Sequence, residues 1–227
     1  MLRRILWTAL AAGLVAGVFV SLAQQVEVVP LILEAETYEA GAATHDEAAA
    51  GAGGEHEHGG GAWAPSDGLE RSLFTFLSNL LTAIGFALLL GAGFALYGGP
   101  VDARRGALWG LAGFAAFVLA PAIGLAPELP GSVAAEVGAR QVWWLGTAVA
   151  TAGGIALIVF ARAKWLKALG VVLIAVPHLI GAPAPEGHGG TAPPELAAEF
   201  AIASLVIAAL FWAVLGTASG YFYRRLS

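Results

Sequence analysis

Six long stretches of apolar residues alternate with polar segments along the chain. They cover residues 5–29, 72–97, 107–126, 141–161, 165–182 and 196–223. A helix needs roughly 20 apolar residues to cross about 30 Å of hydrocarbon. The runs are rich in Gly, Ala and Leu and lack the two-residue alternation of membrane barrel strands. The pattern therefore predicts an all-α, polytopic fold with six transmembrane helices in a single membrane domain, residues 1–227.

Composition supports a membrane protein and limits the metal chemistry. Hydrophobic residues make up 58% of the 227 residues and charged residues 12%, whereas a soluble domain carries about 25% charged residues. The chain contains no cysteine, and its one methionine is Met1. Disulfides and soft sulfur ligands are thereby excluded, so any metal ion must be held by nitrogen and oxygen. The net charge of −5 argues against nucleic acid as a partner.

Basic residues predict the orientation, because short cytoplasmic loops hold an excess of Lys and Arg. Arg71 and Arg140 are expected outside and the other basic side chains inside. Asp102 is expected to be the inner carboxylate, with the other acids at the outer side. The helices are therefore predicted to run N-in and C-in. The inner set comprises Arg3, Arg4, Arg104, Arg105, Arg162, Lys164, Lys167, Arg224 and Arg225.

The first apolar run has two interpretations. Arg3 and Arg4, the apolar stretch and "SLA" at 21–23 are also the pattern of a cleavable signal peptide. The apolar run continues past that cleavage point, which favours an uncleaved membrane helix. The other five runs keep their orientation in either case.

Residues 40–62 are predicted to form a flexible outer loop rich in His and acids. Its low-complexity centre lacks the apolar content needed to order itself. Imidazole and carboxylate suit divalent first-row metals, and glycines allow the chain to wrap around an ion. The loop is therefore either a low-affinity metal collector or a solvated linker. Its histidines are His45, His56 and His58.

His178 follows Pro177 near the end of the shortest apolar run. A short, proline-interrupted membrane segment is a sequence indication of a transport site, and an ionisable residue in a membrane is a functional candidate. The alternative is a histidine hydrogen-bonded to a neighbouring helix at the membrane interface. Glu27 is the carboxylate expected at a similar depth, and the two are a candidate metal-binding pair.

Further polar residues at the outer side complete the candidate set. Thr75, Asn79 and Thr82 share one face of the second run and, with Gln24, are candidates to line an ion path, although such residues also join helices by hydrogen bonds. The remaining candidate metal ligands are the carboxylates of Glu36, Asp67 and Glu70 and the loop residue His188. Asp67 and Glu70 have an alternative role as helix caps.

A weak repeat suggests three helical hairpins. "VVPLILEAE", "LAPAIGLAPELPG" and "AVPHLIGAPAPEG" each place a proline before apolar residues and an acidic loop. The alternative is that proline simply marks helix ends. Gly13 with Gly17, and Gly106 with Gly110, have the spacing of close helix contacts.

Several segments together resemble the CbtA family of predicted cobalt transporter subunits. They are "QQVEVVPLILEAETYE", "WAPSDGLERSLFT", "PHLIGAP" and "ASLVIAALFWAVLG". The resemblance implies a protein of the bacterial cytoplasmic membrane that imports Co²⁺ for cobalamin synthesis, with a small single-helix, His-bearing CbtB-like partner. The family is commonly described with one membrane helix fewer than the six predicted here. Its motifs match Glu27, Glu36, His56, His58, Asp67, Glu70 and His178.

Physical chemistry agrees with a divalent cation but does not select cobalt. Nitrogen and oxygen ligands hold Ni²⁺ and Zn²⁺ at least as well. The sequence has no GxxxxGK[ST] phosphate loop, so we expect no ATP hydrolysis by this chain. As a transporter subunit, the chain is expected to have no enzymatic activity and no cofactor. Two alternatives remain: a membrane metalloenzyme or haem protein, which normally needs several ligands inside the bundle, and a non-transporting metal-binding or assembly subunit.

Overall fold

The computed structural model describes residues 1–49, 65–66, 68–185, 187 and 189–226, and for 42–49 it describes the backbone only. This part of the chain forms helices joined by short connections, with no strand beyond an isolated bridge between Ser132 and Gly190. The all-α prediction is confirmed. The helices are α1 (Leu2–Glu27), α2 (Val29–Ala49), α3 (Leu69–Tyr97), α4 (Ala103–Gly124), α5 (Val137–Phe160), α6 (Lys164–Ile180) and α7 (Pro194–Arg225).

Five of the described helices are long and apolar enough to cross a membrane: α1, α3, α4, α5 and α7. The remaining predicted run, 165–182, corresponds to α6, which has 17 residues. At about 1.5 Å per residue it extends about 26 Å, less than the roughly 30 Å of a typical hydrocarbon core. The structure thus supports a multi-pass membrane protein with five long candidate spans and one short helix.

Helix α2 follows α1 almost without a break, because only Val28 separates them. Its residue Ala35 is fully buried and forms a small apolar cluster with Leu129 and Leu196. The cluster holds α2 against the α4–α5 connection and the start of α7. The helical backbone continues to Ala49, so the first residues of the predicted 40–62 loop are helical, and residues 50–64 lie outside the described part.

The helices pack in antiparallel pairs, α1 with α3, α4 with α7, α1 with α7, and α5 with α6. Arg4 of α1 donates a hydrogen bond from Nε to the carbonyl oxygen of Tyr223 in α7, at 2.7 Å. The two chain termini therefore lie at the same end of the bundle, called here the arginine end. The opposite end, where α2 lies, is called the α2 end.

Glycines bring the backbones of α4 and α7 into direct contact. A Cβ atom on Gly106 would clash with the carbonyl oxygen of Gly216, and one on Gly110 would clash with that of Trp212. Gly216 and Gly220 present the matching small surface on α7. Helices in lipid associate through such close van der Waals contact, because lipid is as apolar as the side chains.

The three predicted hairpins are reproduced in part. α1 and α3, which are consecutive membrane helices, do pack together, but α4 packs mainly on α7 and α5 mainly on α6. The glycine surfaces explain the difference, since those of α4 fit α7, and Gly154 of α5 faces Gly170 of α6. Backbone contact, rather than chain order, selects the partners.

Replacing Gly110 by alanine tests this contact. The added methyl group has no room beside the carbonyl oxygen of Trp212, and overpacking of this kind costs about 1–3 kcal/mol. We expect the melting temperature of the detergent-solubilised protein to fall. Gly146→Ala is the matched control, because its Cβ would meet nothing within 4 Å and both changes improve helix propensity by about 1 kcal/mol. Equal melting temperatures for the two variants would contradict the contact.

Candidate functional site

A cavity of about 1170 Å³ opens at the α2 end. Its walls come from α2, α3, α4, α5 and α7 and from the α4–α5 connection. Most wall residues are apolar. The polar groups on its walls include Arg71, Glu128, Arg140 and Gln141. An apolar cavity with a few polar groups is the usual form of a small-ligand site.

A π-helical segment in α4 shapes one wall of this cavity. Over Ala115–Leu119 the hydrogen bonds change register, and the N–H of Ala120 donates to the carbonyl oxygen of Ala115, five residues earlier. Pro121 follows directly and has no N–H to continue the α-helical ladder. Such π segments are often found at functional sites. Here the segment supplies Phe117 and Val118 to the cavity wall.

Phe117 closes the inner side of the cavity. Its ring stacks on that of Trp212 at 5.7 Å between centroids, with 7° between the planes, and lies 6.2 Å from the ring of Trp144. Phe117 also borders a second, apolar cavity, called here the apolar groove, which lies between α3, α4 and α5. The three rings therefore separate the two cavities.

Two ion pairs hold carboxylates at the α2 end. Glu36 of α2 accepts both ends of the Arg71 guanidinium, at 2.5 and 3.1 Å. This hydrogen bond and the charge of Arg71 hold the pKa of Glu36 below its ordinary value of 4.5, against a smaller opposing effect of desolvation. Glu128 pairs with Arg140 at 2.7 Å. Because each carboxylate already has a guanidinium partner, a metal ion would have to compete for it.

Two further carboxylates form hydrogen bonds near the starts of helices. Glu136 accepts hydrogen bonds from the backbone N–H groups of Gly138 and Ala139, at 2.7 and 2.6 Å, and these bonds lower the pKa of its carboxyl group. Glu70, predicted as a metal ligand or a cap, accepts hydrogen bonds from the backbone N–H and the hydroxyl of Ser66. These bonds hold Glu70 to the segment before α3, and its two predicted roles stay predictions.

His178 lies half-buried in the last turn of α6, beside α5. Its ring meets the ring of Trp143 edge-on at 6.1 Å. The indole N–H of Trp143 donates to the carbonyl oxygen of Pro177 at 3.3 Å, and that oxygen also accepts the N–H of Gly181. This contact joins α6 to α5 through the carbonyl oxygen of Pro177. Both interpretations of His178, as a metal ligand and as a residue hydrogen-bonded to a neighbouring helix, remain predictions.

Glu27, Gln24 and Asn79 lie on α1 and α3, whereas His178 lies on α6. Glu27 is exposed at the end of α1, which packs on α3 and α7, whereas α6 packs on α5. Asn79 donates to the side-chain oxygens of Gln24 and Ser21, at 2.7 and 3.2 Å, and so joins α3 to α1.

The two threonines of the predicted path lie on the outside of α3. Thr75 and Thr82 are exposed, and Thr75 donates to the carbonyl oxygen of Arg71 in its own helix at 2.9 Å. Of the four path candidates, Asn79 and Gln24 are therefore the pair that the structure brings together.

The remaining predicted ligands fall where the structure gives no side-chain position. Within the described residues, no group of three or more His, Asp or Glu side chains is placed to hold a metal ion together. The predictions for the collector loop and its neighbours therefore stay predictions. The side chains outside the described part are those of His45, His56, His58, Asp67 and His188.

Sequence reasoning missed the ion pairs and the aromatic partition. Glu36 and Arg71 are 35 positions apart, and Glu128 and Arg140 are 12 apart, so no local spacing indicates either pair. Pro121, within an apolar run, was a signal for an irregular helix, but it could not show which side chain the irregularity would place in the cavity.

Comparison with known proteins gives one match. The family model described as "Probable cobalt transporter subunit (CbtA)" matches residues 2–224. No curated protein and no solved structure matches the chain.

The pair between Glu36 and Arg71 predicts a pH dependence. Because the folded protein holds the pKa of Glu36 below 4.5, the pair stabilises the fold fully above that pH, and the contribution is lost as the pH falls through the lowered pKa. We expect Glu36→Gln to lower the melting temperature at neutral pH, by an amount corresponding to about 0.5 kcal/mol, and the difference from the unmodified protein to vanish in acid. Glu34→Gln, an exposed change on the same helix, is the control. A difference independent of pH would contradict the ion-pair account.

Proposed function

The chain belongs to the CbtA family of probable cobalt transporter subunits, and on that premise we propose that it admits Co²⁺ to the cell for cobalamin synthesis. In this proposal the chain is not an enzyme and hydrolyses no ATP. The family match over nearly the whole chain carries the proposal. Co²⁺ is the substrate, and Ni²⁺ and Zn²⁺ are its chemical competitors, because nitrogen and oxygen ligands bind all three.

We infer six membrane crossings, with the arginine end in the cytoplasm of a bacterial cell. Both termini lie at the arginine end, as the bond between Arg4 and Tyr223 indicates, and this requires an even number of crossings. α6 supplies the sixth, because it starts beside the end of α5 and its Pro177 reaches Trp143 near the α2 end. The excess of arginine at the arginine end supports an orientation with that end inside the cell.

The charge distribution supports inward movement of a cation. The carboxylates of Glu34 and Glu39 lie at the α2 end, where they attract cations, and the predicted collector loop would add to them. A membrane potential of about 100 mV, negative inside, contributes roughly 4.6 kcal/mol to the entry of a doubly charged ion. Uptake driven by the potential is therefore feasible without ATP.

The cavity at the α2 end is the proposed entry, and the route beyond it needs a second chain. Past Phe117 lies the apolar groove. Its charged lining residue is Arg105, which repels a cation. A divalent ion in such surroundings would lose its hydration without gaining ligands. A small His-bearing, single-helix CbtB-like partner is the proposed source of the missing ligands.

The alternative function, a metal-binding or assembly subunit that does not itself transport, also has support. No cluster of three His, Asp or Glu side chains occurs among the residues that the structure describes. In that case, the chain would hold or position the conducting subunit, and metal would contact chiefly its outer loop.

Single cysteines test the topology, since the natural chain has none. We expect Ala163→Cys, between α5 and α6, to be protected from a membrane-impermeant maleimide added to intact cells. Ser132→Cys, at the α2 end, should react. Labelling of the Ala163→Cys variant from outside, or protection of the Ser132→Cys variant, would contradict the six-crossing arrangement with the arginine end inside.

Uptake of radioactive cobalt tests the function and the role of His178. In cells that lack other cobalt importers and carry the partner chain, we expect the protein to restore accumulation and His178→Ala to reduce it about tenfold, the usual scale for loss of one ligand-supporting contact. Trp143→Phe is the control, because it removes the hydrogen bond to Pro177 but leaves the imidazole in place.

The outcomes separate the two functions. Equal loss of uptake in His178→Ala and Trp143→Phe would assign His178 to helix packing. No accumulation above empty cells, in the presence of the partner and of correctly inserted protein, would reject transport by this chain.

A further inference from the structure

Three arginines surround a polar cavity of about 540 Å³ at the arginine end. Arg4 comes from α1, Arg105 from α4 and Arg224 from α7, and the α3–α4 connection with Asp102 completes the wall. Three positive charges and one negative charge leave a net charge of +2 on the lining. A cavity of this charge fits a phosphate group.

The contacts around this cavity keep guanidinium donors available. Arg4 uses Nε for the Tyr223 carbonyl oxygen and lies 3.6 Å above the Tyr223 ring, which orients its terminal nitrogen atoms. Arg105 uses one terminal nitrogen for the carbonyl oxygen of Pro100. A guanidinium has five N–H donors, so both side chains retain donors for an anion.

Asp102 does not neutralise the cavity. Its Oδ1 accepts the backbone N–H of Arg105 at 2.9 Å and caps α4. That hydrogen bond, together with the charges of Arg105 and Arg224, holds the pKa of Asp102 below its ordinary value. The carboxylate thus caps α4, and the lining of the cavity keeps a net positive charge.

The apolar groove that Phe117 borders has a volume of about 720 Å³ and begins at Arg105. Arg105 lines both the arginine cavity and this groove, which runs between α3, α4 and α5. Small residues of α4, Ala112 and Gly113, form its floor, and the rings of Tyr97 and Phe160, 5.9 Å apart, stand near its arginine end. The groove exists because α5 contacts α4 mainly through the π segment and the turn after it, near the α2 end.

The length of the groove is that of one membrane leaflet. Along α4 it extends from Arg105 to Phe117, twelve residues or about 18 Å at 1.5 Å per residue. The whole hydrocarbon core is about 30 Å thick. A membrane-spanning helix of a partner would need the full thickness, whereas the ring of Phe117 ends the groove near the middle. An acyl chain needs no more than a leaflet.

We propose that an anionic phospholipid binds here, with its phosphate among Arg4, Arg105 and Arg224 and one acyl chain in the apolar groove. Basic pockets between membrane helices are recognised sites for anionic headgroups. The continuity of charge and groove at Arg105 favours a lipid over soluble phosphate, since soluble phosphate would use the charge alone. The proposal does not depend on the transported ion.

Native mass spectrometry of the full chain tests this site. The protein is released from nanodiscs of phosphatidylcholine that contain a minority of phosphatidylglycerol, and retained lipid is counted. We expect the protein to keep one phosphatidylglycerol, and Arg105→Gln and Arg224→Gln to reduce its retention about tenfold, as for loss of a charge-assisted contact. Ala156→Trp, which fills the groove from α5, should reduce it as well.

Matched variants control for general effects. Arg162→Gln removes an exposed positive charge from the same end, outside the cavity lining, and Val149→Trp places the same large ring on an exposed position of α5 outside the groove. Both should retain the lipid. Melting temperatures of all variants identify any that fail to fold, and Arg105→Lys, which keeps the charge, should then retain more lipid than Arg105→Gln.

Three outcomes would overturn the proposal. Equal retention of phosphatidylglycerol and phosphatidylcholine would show that the arginines do not select an anionic headgroup. Unchanged retention in Ala156→Trp, with displacement of the anion by millimolar inorganic phosphate, would make soluble phosphate the ligand. Loss of a co-purifying polypeptide, rather than of lipid, in Ala156→Trp would make the groove a protein interface.

Discussion

The backbone contact between α4 and α7 fixes the positions of the other helices. Four glycines, Gly106, Gly110, Gly216 and Gly220, allow the two backbones to touch, and α7 also packs on α1, which carries α3. These four helices form one body. The pair of α5 and α6 joins that body mainly through the π segment of α4 and the turn after it, so it diverges towards the arginine end. Both the cavity at the α2 end and the apolar groove follow from this arrangement.

Phe117 marks the boundary between two different chemical environments. On the side of the α2 end, ion pairs such as Glu128 with Arg140 line an open cavity. On the other side, apolar walls lead to Arg105. Ions cross membranes where ligands replace their water, and the described part of this chain offers few such groups beyond the partition. This asymmetry is why the family description of a subunit, rather than of a complete transporter, fits the molecule.

The sequence predicted the five long apolar helices well, because a long apolar run is a strong signal, whereas the helical continuation of α2 to Ala49 was not predicted. The predicted run 107–126 corresponds to Ala103–Gly124, and 141–161 to Val137–Phe160. Partner choice was not predictable in the same way. Gly106 and Gly110 were identified as a close contact, but the matching glycines of α7 lie more than 100 positions away, and the hairpin order suggested a different partner. The expected depth of His178 also could not reveal that Trp143 would face its ring.

The arginine cavity and cation uptake impose opposite demands on the same end of the molecule. In the proposed orientation, a cation that moves inward leaves the membrane at the arginine end, where the charges of Arg4, Arg105 and Arg224 would oppose its release. A bound phosphate cancels part of the net charge of the cavity and weakens that opposition, although it makes no contact with the ion. Under the proposed topology, charge at this end orients the helices during insertion, and the proposed lipid headgroup would then compensate it in the assembled protein. The two proposals are compatible because a membrane component, rather than an acidic side chain, would balance the arginines.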